Sequence, residues 1–344
     1  MPSTCKAYIV HDTTSDPVPG TIERRDPRPN DVSIEILYCG ICHSELHTAH
    51  NDWNNAKFPF VGGHEIIGRA TAVGPAVKKF QAGDIVGIGC LVDSCRTCKN
   101  CKLGKENWCV SRTQTYNSSG KNGEVTKGGY SQHILAREEF VLKIPSNLDL
   151  AASAPLLCAG ITTYSPLRAH GAGPGKRVGV VGLGGLGSMA IKFASAMGSE
   201  VTLFSRSHAK AAGAKAQGAS RVVASSDPNE LEAVAGTFDL IIDTIPFEHD
   251  FEPYLKSLDI GGCLVVVGQI GPLKVLTSHL AGNKSITYSN IGGLPETQEM
   301  LDFCGENNIT CDVELIEYSY IAEAWKRVHS GDVKYRFVLD AKSL

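Results

Sequence analysis

RVGVVGLGGLGSMAIKFASAMG, the stretch from Arg177 to Gly198, decides how the second half of the chain folds. Arg177 to Val181 reads as a strand, Gly182 to Gly187 as a tight turn, and the Ala-rich run through Met197 as a helix. Gly182, Gly184 and Gly187 satisfy GxGxxG between a strand and a helix, the context a dinucleotide-binding turn requires. The turn comprises Gly182, Leu183, Gly184, Gly185, Leu186 and Gly187, and the backbone N–H groups at the start of the helix can cradle a pyrophosphate at the positive end of the helix dipole. EVTLFS, SRVVAS, FDLIIDTIP and CLVVVGQI follow as further strands between Ala-rich or polar segments. Such alternation predicts a doubly wound parallel sheet with helices on both faces over residues 151–291.

The end of the second strand bears on the choice of cofactor. An NAD-specific turn places Asp or Glu about 20 residues beyond the glycines, where it bonds the ribose hydroxyls and repels a 2′-phosphate. Val201 to Phe204 is followed here by Ser205, Arg206 and Ser207, with Lys210 one turn further on; Glu200 lies at the wrong end of the strand. Hydroxyls and two cations suit a phosphate, so the expected cofactor is NADP(H).

Upstream, residues 1–150 carry short alternating segments, among them VSIEILY, IIGRATAVG and DIVGIGC, separated by turn residues, which predicts a β-barrel-like domain. The stretch Cys39 to Gly68, CGICHSELHTAHNDWNNAKFPFVGGHEIIG, brings Cys42, His43, His47, His64 and Glu65 close together in sequence. Thiolate, imidazole and carboxylate all bind zinc, and a catalytic zinc takes three protein ligands and keeps one position open. Cys158, in the apolar run LLCAGITTY, is the best distant candidate for a further ligand. In CRTCKNCKLGKENWC, within a lobe of about residues 90–112, Cys95, Cys98, Cys101 and Cys109 match a closed, all-thiolate structural zinc site. The expected metal content is two zinc ions per chain.

A length of 344 residues allows about two domains, and 42% hydrophobic with 20% charged residues is ordinary for a globular chain. A formal net charge of −3 offers no basic field for a nucleic acid partner. No apolar run reaches the roughly 20 residues that span a bilayer, so no membrane partner is expected, and MPSTCKAYIV lacks the pattern of an export signal. Twelve cysteines at partly metal-like spacings point to a reducing cytoplasm.

GICHSELH, GGHEIIG, the four-cysteine lobe, PLLCAGITTYSPL, VGLGGLGSMA, IGGLPETQEM and YRFVLD occur in an order that resembles the zinc-containing medium-chain alcohol dehydrogenases, and within them the cinnamyl alcohol dehydrogenase-like aldehyde reductases. The resemblance implies an α/β protein: a GroES-like β-barrel catalytic domain over residues 1–150 and 292–344, plus a Rossmann cofactor domain over residues 151–291. It implies Cys42, His64 and Cys158 as ligands of a catalytic zinc, with Glu65 as the neighbouring carboxylate that can approach the metal. Ser44 and His47 become a proton relay, and His43, Thr162, Thr244, Val267, Gly268, Ser289, Ile291 and Arg336 become cofactor-lining positions. It also implies a homodimer formed through edge strands of the cofactor domain, for which the strand CLVVVG is a candidate.

Three departures from the family pattern stand out. Glu45 replaces the usual Asp, in the place where a carboxylate orients the metal-binding His. Gly62 replaces the usual Pro and is expected to loosen its loop. Gln114 stands where plant members carry an aromatic substrate-pocket residue, while Trp53 is a candidate aromatic wall. The expected reaction is hydride transfer between NADP(H) and a primary alcohol/aldehyde pair, as aldehyde reduction. The alternatives are a polyol or secondary-alcohol dehydrogenase, a zinc-free quinone reductase, which the full set of metal residues disfavours, and a non-catalytic zinc-lobe module on a cofactor-sensing scaffold.

Overall fold

The computed structural model describes residues 3–120, 123–269 and 271–344; Ile270, the last residue of CLVVVGQI, lies outside them, as do Met1 and Pro2 of the N-terminal stretch. The chain divides into two compact units, Met1–Cys158 with Gly292–Leu344, and Ala159–Ile291. The break falls eight residues past the expected 150/151 border, which leaves Cys158 in the same unit as Cys42 and His64.

In the second unit, six strands form one parallel sheet in the order Arg221–Ala224, Glu200–Ser205, Arg177–Val181, Phe238–Asp243, Leu258–Val266, Ser285–Tyr288. Its strands are apolar on both faces because both are covered: Val178, Val180, Leu203, Ile241 and Leu264 are all fully buried. The strand order reverses between Arg177–Val181 and Phe238–Asp243, and ligands of such sheets bind beyond the strand ends at that reversal. Leu258–Val266, which contains most of CLVVVG, is second from the end; the edge strands are Arg221–Ala224 and Ser285–Tyr288, with Tyr288 exposed.

In the first unit, Asp31–Gly40 is the central strand of a seven-stranded sheet. Val32, Ile34 and Ile36 point into the core while Glu35 points out, the alternation that a half-buried strand requires. It pairs antiparallel with Ile66–Val73, His133–Arg137 and Arg336–Asp340, so the C-terminal segment completes this unit. Its register against Ile66–Val73 slips twice, between Ser33/Ile34 and between Ile36/Tyr38. Bulges of this kind bend a strand, and this one delivers Cys39 and Gly40 to the loop that opens the helix His43–Ala49. All twelve cysteines are free of disulfides. No helix among the described residues is long and apolar enough to cross a membrane.

Candidate metal centres and cofactor turn

The helix His43–Ala49 starts immediately after Cys42, and Glu45 at its third position reaches back so that Oε2 accepts the Cys42 N–H at 2.7 Å. The loop ahead of strand Ile66–Val73 carries His64 and Glu65 to the same place, and the turn that follows Leu157 adds Cys158. One ligand atom from each of Cys42, His64, Glu65 and Cys158 lies within 4.8 Å of the others. Cys42 Sγ and Cys158 Sγ are 3.9 Å apart, although 116 residues separate them. Four residues read in distant parts of the chain are thus brought together.

The surroundings suit a cation. His64 is 4% exposed and Glu65 fully buried, and neither Glu65 oxygen accepts a hydrogen bond among the described residues. Burial pushes the Glu65 carboxyl up to about 8, against the pull of Arg336, whose Nη1 lies 3.3 Å from Oε1. The hydrogen bond between the two sulfurs draws the Cys42 thiol well below its ordinary value and pushes Cys158 up. Glu45 Oε1 lies 2.5 Å from His64 Nδ1; burial works most strongly against a charge on this imidazole, but the Glu45 carboxylate together with Cys90, Tyr116 and Cys42 outweighs it and raises His64. With Nδ1 beside Glu45, Nε2 is the ring nitrogen left for a metal, as where a carboxylate orients a metal-binding His. Two thiols, an imidazole and a buried carboxylate whose oxygens accept no hydrogen bond among the described residues form a donor set that fits zinc.

Cys95, Cys98, Cys101 and Cys109 also converge within 4.8 Å. The Sγ separations are 3.8 Å for Cys95–Cys101 and 3.6 Å for Cys98–Cys101. A tetrahedron of sulfurs around zinc at its usual bond length has edges of about 3.8 Å. Backbone N–H groups already point at the sulfurs: Cys98 N–H donates to Cys95 Sγ at 3.3 Å, and Cys95 N–H to Cys109 Sγ at 3.5 Å.

Ser44 and His47 share the helix but do not bond each other among the described residues. Ser44 Oγ pairs with the Tyr116 hydroxyl at 3.1 Å, and His47 Nδ1 with Asp52 at 2.7 Å. His43 stacks on His47 with ring centroids 4.7 Å apart, and burial, then the neighbouring His47, lowers its pKa to about 4. Trp53 lies 5.2 Å from the His47 ring, whereas Gln114 is exposed on its strand. Arg336 is buried against Glu65 and donates to the Ile41 carbonyl at 3.2 Å. The expectation that Gly62 loosens its loop is corrected: Gly62 is buried and its carbonyl accepts the Tyr130 N–H at 2.9 Å.

In the second unit the helix Gly185–Ala196 begins at Gly184, inside the glycine turn. Gly182 has φ of +89°, and a Cβ on Gly187 would stand 2.0 Å from the Gly182 carbonyl oxygen, so the turn closes only with glycine at both places. Gly184 faces open space. Lys210 Nζ donates to the Leu183 carbonyl at 3.1 Å, which holds this cation beside the turn. Arg206 is exposed directly after strand Glu200–Ser205, with Ser207 next in the chain and Lys210 four residues on. Thr244 is buried and donates to the Val181 carbonyl at 2.7 Å, and the Val267 and Ser289 N–H groups bond Asp243 and Val266 at the same end of the sheet. Gly268 packs on the Ile245 carbonyl, Ile291 adopts φ of +43°, and Thr162 is buried on the helix Ala159–Ala169.

Two residues beside the buried cluster escape a reading of sequence alone. Cys90 hydrogen-bonds Cys158 and faces His64, which together bring its thiol down to about 6. Tyr116 sits 5.3 Å from the His64 ring. Cys90 follows strand Ile85–Ile88 and precedes the four-cysteine run so closely that spacing groups it with the lobe.

The chain belongs to the family of zinc-binding alcohol dehydrogenases: the signature of the alcohol dehydrogenase GroES-like domain matches residues 28–146, and that of the zinc-binding dehydrogenase matches residues 185–306. It is 48% identical to the NADP-dependent alcohol dehydrogenase C 1 of Mycolicibacterium smegmatis, over 99% of both chains. The aldehyde reductase YahK of Escherichia coli is 50% identical over 95% of each. Among solved structures, a cinnamyl alcohol dehydrogenase from Sorghum bicolor superposes with a TM-score of 0.97 at 41% identity, covering 99% of this chain and 98% of that one.

Proposed function

We propose that the protein is an NADP(H)-dependent zinc oxidoreductase that reduces aldehydes to primary alcohols. The observation that carries this reading is the convergence of Cys42, His64, Glu65 and Cys158 in one buried site. Cys42, His64 and Cys158 hold a catalytic zinc with Glu65 close by, and Cys95, Cys98, Cys101 and Cys109 hold a structural one. When bound, the catalytic zinc acts as a Lewis acid on the alcohol or aldehyde oxygen, and the nicotinamide carries the hydride.

The chain's own residues do the rest. Glu45 keeps His64 Nε2 turned to the ligand cluster. Arg336 offsets the buried Glu65 charge. Ser44 Oγ, held by Tyr116, passes the alcohol proton toward His47, which Asp52 holds through Nδ1 so that Nε2 is free to take it. Trp53, against His47, supplies an aromatic wall and supports aromatic and aliphatic aldehydes over polyols as substrates.

The first unit is the catalytic domain and the second the cofactor domain. The glycine turn takes the pyrophosphate. Arg206, Lys210, Ser205 and Ser207 take the 2′-phosphate, with no Asp or Glu among residues 205–210 to repel it. Twelve cysteines without a disulfide among them support a cytoplasmic setting, and the exposed edge strand Ser285–Tyr288 supports a homodimer.

Arg206→Ala tests the cofactor assignment. Loss of one charge-assisted hydrogen bond, about 1.5 kcal/mol or more, should raise the NADPH dissociation constant about tenfold or more and leave that of NADH nearly unchanged. Equal losses for both cofactors would mean that Arg206 does not read the 2′-phosphate. Steady-state rates with aldehydes and polyols test the substrate class; turnover of polyols alone would overturn the aldehyde reading.

A further inference from the structure

The loops that carry Cys42 and His64 meet around one carboxylate. Glu45 is fully buried; its Oε2 accepts the Cys42 N–H at 2.7 Å, and its Oε1 accepts the Gly63 N–H at 3.3 Å and lies 2.5 Å from His64 Nδ1. Three partners on two loops leave the end of this side chain no freedom, so the methylenes between backbone and carboxylate must lie where the loops leave room. Residue 62 provides that room. A Cβ on Gly62 would stand 2.8 Å from Glu45 Cγ and 2.9 Å from Cε2 of Tyr130, where non-bonded carbons prefer about 3.5–4.0 Å.

Gly62 is not among the residues with positive φ, so the backbone there makes no demand for glycine. The loop cannot retreat, because the Gly62 carbonyl is bonded to the Tyr130 N–H at 2.9 Å and Tyr130 is 1% exposed. Gly62 and Glu45 therefore occupy one shared volume, filled from the Glu45 side.

We propose that Glu45 and Gly62 are a size-matched pair that positions two ligands of the buried metal site: Glu45 spans the two loops, and the missing side chain at Gly62 is the space its γ-carbon needs. The proposal rests on the reading of Cys42, His64 and Cys158 as zinc ligands. It makes Glu45 a positioning residue and predicts that substitutions at 45 and 62 are not independent.

A double-mutant cycle of Glu45→Asp, Gly62→Ala and the combined variant tests the pairing, read by zinc affinity in competition with a chelator and by the melting temperature of metal-free protein. Gly62→Ala in the native background should weaken zinc binding at the buried cluster about tenfold or more, the scale set by outer partners of a metal ligand, and lower the metal-free melting temperature. In the Glu45→Asp background, where one methylene has gone, the same change should have a clearly smaller effect on both readouts. Equal losses in the two backgrounds would overturn the pairing, since Tyr130 alone would then exclude the side chain. Should Gly62→Ala yield no soluble protein, recovery of folded protein in the combined variant supports the pairing, and failure of both overturns it. Absence of zinc from the cluster in wild-type protein would defeat the metal-site reading, while the metal-free melting temperatures would still decide the pairing.

Discussion

The two cysteine-bearing clusters of the first unit are built on opposite plans. Cys95, Cys98, Cys101 and Cys109 lie within fifteen consecutive residues, three of the four are only half-buried, and all four donors are thiols. Cys42, His64, Glu65 and Cys158 come from distant stretches, mix three donor types and depend on buried partners, Glu45 and Arg336, to hold their orientation. A closed set of thiolates offers a metal nothing further to bind, whereas a mixed set with room for an exogenous oxygen suits catalysis. The difference supports the proposal that one cluster holds a lobe together and the other handles substrate.

Removal of one ligand from each cluster should separate these roles. The largest effect is expected from Cys42→Ser: kcat/KM should fall by about 10³-fold or more, because metal polarisation is worth several kcal/mol, with little change in melting temperature. Cys101→Ser should do the reverse, lowering the melting temperature by roughly 10 °C for about 3 kcal/mol of lost stabilisation, with activity retained in the fraction that stays folded. Kinetics and thermal unfolding of both variants check the pair; a large stability loss from Cys42→Ser alone would erase the contrast.

His47→Gln should have the smallest effect. It belongs to neither ligand set, so both metals should stay, while alcohol oxidation slows by about 10²-fold or less, most at low pH where solvent base is scarce. A pH–rate profile identical to wild type would remove His47 from proton transfer.

The parts legible in the sequence are those whose partners are close along the chain. The glycine turn declares itself because Arg177–Val181 and Gly185–Ala196 flank it directly, and the four-cysteine lobe because its spacing is its geometry. Cys158 could be suspected from its apolar run, but its 3.9 Å approach to Cys42 exists only once Asp31–Gly40, with its two bulges, and the turn after Leu157 are in place. Cys90 was hidden by its nearness to the lobe, and Tyr116 because nothing in its neighbourhood marks a phenol as facing Ser44. Gly62 looked like a loosened loop because a glycine's freedom shows in sequence, whereas the γ-carbon of Glu45 filling its empty side does not.

Zinc counted per chain in wild-type protein, Cys42→Ser and Cys101→Ser tests the contrast most directly. Two zinc ions in the wild type and one in each variant are expected, the ion left in Cys42→Ser accompanying a native melting temperature and the ion left in Cys101→Ser accompanying residual activity. A single zinc in the wild type, or a Cys42→Ser variant that keeps both ions and full activity, would contradict it.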